Sequence, residues 1–329
     1  MTQLPKSYVD GFLVEWEANE YAAEVRMSAQ TSKTLNPSVA ARAGGTTKRA
    51  QQVREKLKRT VRATPEVVVK ITSSCRGMGQ VGRHVDYISR KGELELEDQD
   101  GFLLKGRDDL RELKADWQAS GPEPIARTSQ RRDTLNIVFS MPAFTDEVAM
   151  KRAVRAFASD VFNGHQYVFA YHTQASDPDP NPPAHPHVHL SVKIQGRDGR
   201  RLNPRKADLQ QWRDGFAQAL RAHGIEANAT HRLARLQRHR GPSRAKLAME
   251  ARGQSASAKP TSKAAKTHGA LGEKRLSYYR VVTDVLARSS SAEDRKLATE
   301  LATFLEEVTM GPTKRVRAGD ASPRIERER

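Results

Sequence analysis

Hydrophobic residues follow two periodicities along this chain, one of two residues and one close to the helical repeat. In residues 186–194 every second side chain is aliphatic, from Val188 to Ile194. Successive side chains of a strand point to opposite faces, so this alternation predicts a half-buried strand. Runs of β-branched and aromatic residues predict three further strands, at 66–72, 134–141 and 167–172.

Four other segments repeat their apolar positions at the spacing of a helix. Consecutive predicted strands are not regularly separated by these helices, which argues against a doubly wound parallel sheet. The pattern therefore predicts an α+β fold with a central, mostly antiparallel β-sheet flanked by helices, in a domain that spans residues 65–240. The predicted helices cover residues 80–91, 107–120, 146–162 and 204–223.

The segments outside that domain are polar and basic. We expect a flexible basic N-terminal arm at 1–64 and a flexible basic linker at 241–274, because neither has a sustained apolar pattern. A stripe of leucines predicts a small helical segment at 275–310. Residues 311–329 are expected to form a disordered basic tail.

The charge balance indicates what kind of partner the protein binds. Lys and Arg number 56 against 39 Asp and Glu, giving a net charge of +17. Such an excess favours a polyanionic partner, most often a nucleic acid. The single cysteine, Cys75, excludes an internal disulfide and a thiolate zinc site, and fits a reducing cytoplasm. Neither a secretory leader nor an apolar run of 18 residues is evident, so we expect no membrane insertion.

Histidines are concentrated in the strand at 186–194 and just before it. His185, His187 and His189 occupy alternate positions, and His172 lies at the end of the preceding predicted strand. Alternate residues of a strand share a face, which brings imidazoles together as a borderline divalent metal requires. Strand alternation by itself favours His185 as the third ligand beside His187 and His189.

A second candidate for chemistry lies on the helix predicted at 80–91. Helical geometry puts Tyr87 on one face with Arg83, Arg90 and Lys91, beside a buried stripe that includes His84. Neighbouring cations favour a phenolate and would hold a phosphate beside the ring, which suits a tyrosine that attacks phosphorus. The alternative is an exposed tyrosine on a basic helix, with its hydroxyl in water.

The two constellations together resemble a known family. The segment HVDYISRKGELEL at 84–96 resembles the first motif of conjugative and mobilization relaxases of the T-DNA border endonuclease (MobA/VirD) type, within the HUH endonucleases. Tyr87 matches the nucleophilic tyrosine of that motif. The segment 171–193 resembles the three-histidine motif, in which His172 matches the first ligand and His187 and His189 the pair. The resemblance thus favours His172 over His185. Ala184 and Lys193 depart from the motif.

The resemblance implies a metal-dependent enzyme that uses Mg²⁺ or Mn²⁺ to nick one strand of a plasmid or integrative-element transfer origin. Tyr87 would form a 5′-phosphotyrosine link and pilot single-stranded DNA in conjugative transfer. The implied partners are melted DNA, relaxosome accessory proteins and a type IV coupling protein. The protein would be a cytoplasmic bacterial monomer that is translocated with its DNA. Basic residues expected to contact DNA are Arg83, Arg90, Lys91, Lys193, Arg232, Arg235, Arg238 and Arg240.

Two other functions fit parts of the sequence. A rolling-circle replication initiator would use a tyrosine that follows the histidines, and Tyr278 and Tyr279 are available there. A DNA-binding accessory protein without catalysis would need only the basic surface and a vestigial histidine site. Cleavage that depends on a metal would separate the enzymes from the accessory protein.

Overall fold

The chain divides into two compact units. The sheet unit comprises residues 25–31 and 63–229, and the helical unit comprises residues 1–24, 32–62 and 230–329. A computed structural model describes residues 3–28, 45–176, 185–230, 234–236, 249, 252 and 262–310. No helix among these described residues is both long enough and apolar enough to cross a membrane.

A single sheet of six strands organises the sheet unit. Its strands, in the order β1-β4-β6-β5-β2-β3, pair with every neighbour in the antiparallel sense. This confirms the predicted α+β class with an antiparallel sheet. The two short strands at one edge were not predicted. The strands are β1 Val68–Cys75, β2 Leu96–Asp98, β3 Leu103–Leu104, β4 Thr134–Ser140, β5 Tyr167–His172 and β6 His187–Lys193.

Two helices cover each face of the sheet. Helices α5 (Glu147–Val161) and α6 (Lys206–Ala222) pack on the face that carries the aliphatic residues of β6. Edge-to-face aromatic pairs fill this larger core, with ring centroids 5.2 Å apart between Phe139 and Phe157. The side chain of Asp146 accepts a hydrogen bond from the backbone of Ala149 and so fixes the start of α5.

The opposite face of the sheet carries the histidines. Helices α3 (Met78–Ile88) and α4 (Gly106–Ala119) cover it and form a smaller core. Apolar side chains of α3 at helical spacing, together with Trp117 of α4, pack on Val168 and Ala170 of β5. This packing holds α3 against the same face from which the imidazoles project.

The helical unit differs from the prediction of a flexible N-terminal arm at 1–64. Two helices lie there, α1 (Lys6–Ser28) and α2 (Gly45–Val61), and they share a core with α7 (Ser262–Ala287) and α8 (Ala292–Met310). Helix α7 also occupies the end of the predicted linker 241–274. The predicted tail, 311–329, lies outside the described residues. The arm has few apolar residues, and their burial partners in α7 and α8 are more than 200 residues away in the sequence.

A buried ion pair joins the ends of the chain within the helical unit. The guanidinium of Arg54 is 2.7 Å from the Asp10 carboxylate and 2.6 Å from that of Asp294. All three residues are buried, and the Ser289 hydroxyl donates a further hydrogen bond to Asp294. A buried charge needs such partners. The sequence does not reveal this pairing, because the acidic partners lie at opposite ends of the chain.

Candidate active site

Strand pairing brings three histidines together. His172, the last residue of β5, lies directly opposite His187, the first residue of β6, while His189 is two residues further along the same face. One nitrogen of each ring lies within 4.8 Å of the others. Ring centroids are 4.8 to 5.4 Å apart. We call His172, His187 and His189 the histidine cluster.

Hydrogen bonds to backbone carbonyls orient two rings of the cluster. His172 Nε2 lies 2.8 Å from the carbonyl oxygen of Ile88, the last residue of α3. A carbonyl can only accept, so Nε2 carries the hydrogen and Nδ1 is the nitrogen left for a metal. His187 Nδ1 lies 3.3 Å from the His185 carbonyl, which leaves Nε2 of His187 for the metal. These hydrogen bonds therefore decide which nitrogen of each ring could bind a metal.

The electrostatics of the cluster favour a neutral His189. Burial, together with repulsion from His172, His187 and His84, lowers the pKa of His189 to about 3. A neutral imidazole binds a metal without first releasing a proton. Three imidazole nitrogens within 4.8 Å of one another make a chemically sound site for a divalent metal.

His185 lies outside the cluster. It is exposed, its ring centroid is 6.3 Å from that of His187, and β6 begins only after Pro186. The alternation rule holds only within a strand, so it does not extend back to His185. The geometry favours His172 as the third ligand, as the resemblance did.

Tyr87 lies beside the histidine cluster. Its ring meets the His189 ring edge-on, with centroids 5.9 Å apart. The residue is 48% exposed, so its phenol is accessible from solvent while one edge faces the cluster. The fold thus brings the candidate nucleophile and the candidate metal ligands to one place from distant parts of the sequence.

His84 is a neighbour of Tyr87 that sequence analysis placed only in a buried stripe. Its ring stacks near that of Tyr87, with centroids 6.3 Å apart. Burial lowers the pKa of His84 to about 4, so the imidazole is neutral at physiological pH. The Nε2 atom is buried and has no hydrogen-bond partner among the described residues. In the sequence, only the position of His84 one helical turn before Tyr87 could have indicated that it lies at the site.

The chain turns sharply after the tyrosine, so α3 is shorter than the predicted helix 80–91. Arg90 and Lys91 both adopt left-handed backbone conformations, with φ of 51° and 56°. Such conformations cost an ordinary residue about 1–2 kcal/mol. Gly92 follows at φ 95°, and a Cβ there would lie 2.6 Å from the Gly106 carbonyl carbon. The turn places two strained cationic residues directly after the helix that carries Tyr87.

The start of α3 is anchored by a buried carboxylate. The backbone N–H of Gly77 donates to Asp133 Oδ2 at 2.7 Å, and Met78 and Gly79 donate to carbonyls of residues 126 and 127. Gly77 has φ of 71°, and a Cβ would lie 2.6 Å from the Arg127 carbonyl oxygen. Only glycine fits this approach. Both ends of the tyrosine helix are therefore fixed.

The predicted DNA contacts fall into different environments. Arg83 and Lys91 are exposed and Arg90 is half-buried, all next to Tyr87. Lys193 is buried instead, and its Nζ donates to the carbonyls of Trp117 and Ser120 and to Gln166. It closes the end of α4, so its assignment to DNA binding is wrong. Arg235 belongs to the helical unit. Arg232, Arg238 and Arg240 lie outside the described residues.

Comparison with known proteins finds a family match. Residues 87–225 match the family described as Relaxase: MobA/VirD2-like, nuclease domain. This part of the chain is similar to MobA/VirD2-like relaxases. We call it the relaxase domain, and Tyr87 is its first matched residue.

Curated proteins similar to this chain are T-DNA border endonucleases VirD2. That of Rhizobium radiobacter is 29% identical over 187 residues, which cover 52% of this chain and 43% of the relative. That of Agrobacterium fabrum (strain C58) is 28% identical and covers 34% of this chain and 28% of the relative. The chain thus spans less than half the length of these relatives.

A solved structure described as the molecular basis of vancomycin resistance transfer in Staphylococcus aureus also aligns with this chain. It is 13% identical, covers 51% of this chain and 98% of that chain, and has a TM-score of 0.32. This likeness is too weak to bear on function.

Lys193→Met tests the structural role of the buried lysine. Burial lowers the pKa of Lys193, and the substitution removes a donor from two helix-end carbonyls. We expect the free energy of unfolding to fall by about 1–3 kcal/mol, measured by urea denaturation. The slope of DNA affinity against salt should not change.

Lys91→Met is the matched control, because it removes an exposed charge beside Tyr87. It should leave stability nearly unchanged and lower the salt slope by about one. An equal loss of salt slope in both variants would show that Lys193 contacts DNA after all.

Proposed function

We propose that this protein is a relaxase that nicks one DNA strand by transesterification to Tyr87. The observation that carries the proposal is the position of the Tyr87 ring, half-exposed and 5.9 Å from that of His189 at the edge of the histidine cluster. The match of residues 87–225 to the MobA/VirD2-like relaxase family supports it. The excess of basic residues supports a DNA substrate.

The reaction exchanges one phosphodiester bond for another. The Tyr87 oxygen attacks phosphorus, the bond from phosphorus to the 3′-oxygen breaks, and a 5′-phosphotyrosine forms. The phenol gives up its proton, and the leaving oxygen ends as a 3′-hydroxyl. Because the bond energy is kept in the covalent link, the same site can run the reaction backwards and rejoin the strand.

Each part of the site has a role in this scheme. His172, His187 and His189 would hold a divalent cation, and a bound cation would polarise the scissile phosphate and stabilise its developing charge. The left-handed turn presents Arg90 and Lys91 to the flanking phosphates. Helix α3, fixed at both ends, keeps the phenol near the phosphate position. An all-imidazole donor set suits Mn²⁺ better than Mg²⁺, which prefers oxygen ligands.

The wider role follows from the same proposal. We infer that the nicked DNA is a transfer origin, presented as a single or melted strand, and that the covalent complex is escorted by accessory and coupling proteins to a type IV secretion channel. The cytoplasm is the compartment in which such a complex would assemble. These steps rest on the likeness of the relaxase domain to the VirD2 proteins.

The two alternatives fit the structure less well. Tyr279 is buried at 2% exposure, and its hydroxyl donates to the Ala234 carbonyl, so it serves the core of the helical unit. Tyr278 is a neighbour on the same helix, with Lys274 over its ring. The burial of Tyr279 therefore argues against its use as the nucleophile of a rolling-circle initiator. A vestigial site would not require three clustered imidazoles, two of which are oriented by hydrogen bonds to backbone carbonyls.

Tyr87→Phe should abolish cleavage of single-stranded oligonucleotides tiled from the element that encodes the protein. The variant keeps the ring contact with His189 and loses only the attacking oxygen, so DNA affinity should stay within about twofold, since one exposed hydroxyl contributes little. Cleavage is followed on denaturing gels and affinity by fluorescence anisotropy.

Tyr278→Phe is the matched control and should cleave like the wild type. If Tyr87→Phe retains cleavage, or if Tyr278→Phe loses it, the nucleophile is assigned wrongly.

His187→Ala should abolish the response to metal. For the wild type, Mn²⁺ at about a hundred times its Kd should raise the free energy of unfolding by about 2.7 kcal/mol, and the variant should show no such rise. His172→Ala should lose the same response and also be less stable without metal, because the Ile88 carbonyl loses its donor.

His185→Ala, which changes a histidine outside the cluster, should respond to Mn²⁺ like the wild type. If Mn²⁺ stabilises His187→Ala as much as the wild type, His187 is not a metal ligand. If His185→Ala loses the response to Mn²⁺, His185 is a metal ligand and the assignment must change.

A further inference from the structure

The loop between β4 and α5 carries an aromatic residue that neither packing nor backbone preference explains. Phe144 is 95% exposed, and its φ is 66°. A bulky residue in this left-handed region is a backbone outlier. Single exposed apolar side chains are common on protein surfaces and need no explanation. An exposed phenylalanine that is also held in a strained conformation is a different case, because no burial offsets the strain.

The surrounding turn holds this conformation. The Thr145 hydroxyl donates to the Pro142 carbonyl at 2.7 Å, and Asp146 caps α5 by accepting from Ala149 at 2.6 Å. Val148, one helical turn after Phe144 in sequence, is 56% exposed. The loop and the first turn of α5 thus expose two apolar side chains, Phe144 and Val148, to solvent. Strain of this kind is typical of ligand-binding segments.

The loop leaves the sheet beside the histidine cluster. Ser140, the last residue of β4, pairs with His187. The Ser140 hydroxyl and the Met141 backbone N–H both donate to the carbonyl of Pro186, the residue before His187, at 3.2 and 3.4 Å. Phe144 is therefore four residues along the chain from the strand position that pairs with a candidate metal ligand. A strand of DNA whose phosphate lies at the cluster would have its flanking nucleotides within reach.

The local charge favours a base over a phosphate. Asp146 and Glu147 are acidic, and Glu147 is paired with Lys151 at 3.1 Å. Lys151 also lies over the ring of Tyr171, with its Nζ 5.2 Å from the centroid. This balance offers no net positive charge to a phosphate. A nucleobase is uncharged and has a π-face that stacks on an aromatic ring.

We propose that Phe144 is a stacking platform for one unpaired base that flanks the scissile phosphate. The proposal rests on the relaxase function inferred above and adds a residue that determines how the strand is held. Two exposed apolar side chains are too little surface for a protein interface, which needs about 1,000 Å². One nucleobase is a ligand of suitable size.

The test compares Phe144→Ala with Phe102→Ala. Phe102 is the matched control, since it is also exposed, at 68%, but lies in the β2–β3 turn near the far edge of the sheet, and its φ is not positive. Loss of base stacking on Phe144 should weaken binding of a single-stranded oligonucleotide about five- to hundredfold. The Phe102 variant should bind within about twofold of the wild type. Affinity is measured by fluorescence anisotropy at fixed salt.

Oligonucleotides with one abasic site at successive positions identify the stacked base. In the wild type, one position should lose as much affinity as Phe144→Ala, and the variant should lose nothing more there. Phe144→Asn adds a second readout, because asparagine tolerates the left-handed conformation. Its Tm should equal or exceed that of the wild type while its DNA affinity falls.

Wild-type affinity in Phe144→Ala, or equal losses in both alanine variants, would overturn the proposal. The two proposals fail separately. If the wild type forms no covalent adduct but Phe144→Ala still binds the strand more weakly, only the proposed catalysis is wrong. If the adduct forms on Tyr87 and Phe144→Ala binds normally, only the stacking role is wrong.

Discussion

One hydrogen bond connects the two halves of the candidate chemistry. His172 Nε2 donates to the carbonyl of Ile88, the residue after Tyr87, across 2.8 Å. The bond leaves Nδ1 of His172 to the cluster and at the same time fixes the end of the tyrosine helix against β5. Both groups are fully buried, so loss of the bond would leave a polar atom without its partner. Any movement of α3 would therefore also change the orientation of His172. The distance between the Tyr87 phenol and the histidine cluster depends on this contact.

The rest of the sheet unit supports that bond. The antiparallel pairing of β5 with β6 places His172 opposite His187, and the apolar stripe of α3 packs on the histidine face of β5. At the other end of α3, the Asp133 carboxylate and the close approach at Gly77 prevent the helix from sliding. A nucleophile must be held within a fraction of an ångström of its target geometry to be effective. Here backbone carbonyls, a buried carboxylate and a glycine hold the helix that carries it.

Much of this unit follows from local sequence patterns. Alternation located β6 to within one residue at each end, and the strand at 167–172 coincides with β5. The edge strands β2 and β3 have only three and two residues, too few for any period to show. Lys193 lies an even number of residues after His187 and His189, so strand alternation puts all three on the same face of β6. Its burial depends on the carbonyls at the end of α4, which strand periodicity cannot reveal. The helices within 1–64 were missed because their partners lie near the other end of the chain.

The central claim is that the phenol of Tyr87 attacks DNA at the histidine cluster. The most direct measurement is to incubate the wild-type protein with cleavable single-stranded DNA and Mn²⁺, trap the protein–DNA product, digest it and locate the nucleotide-bearing peptide by mass spectrometry. We expect a phosphodiester on Tyr87 and on no other residue. A nucleotide on Tyr278, Tyr279 or any other side chain would contradict it, as would unmodified Tyr87 under conditions in which the bound strand is cut.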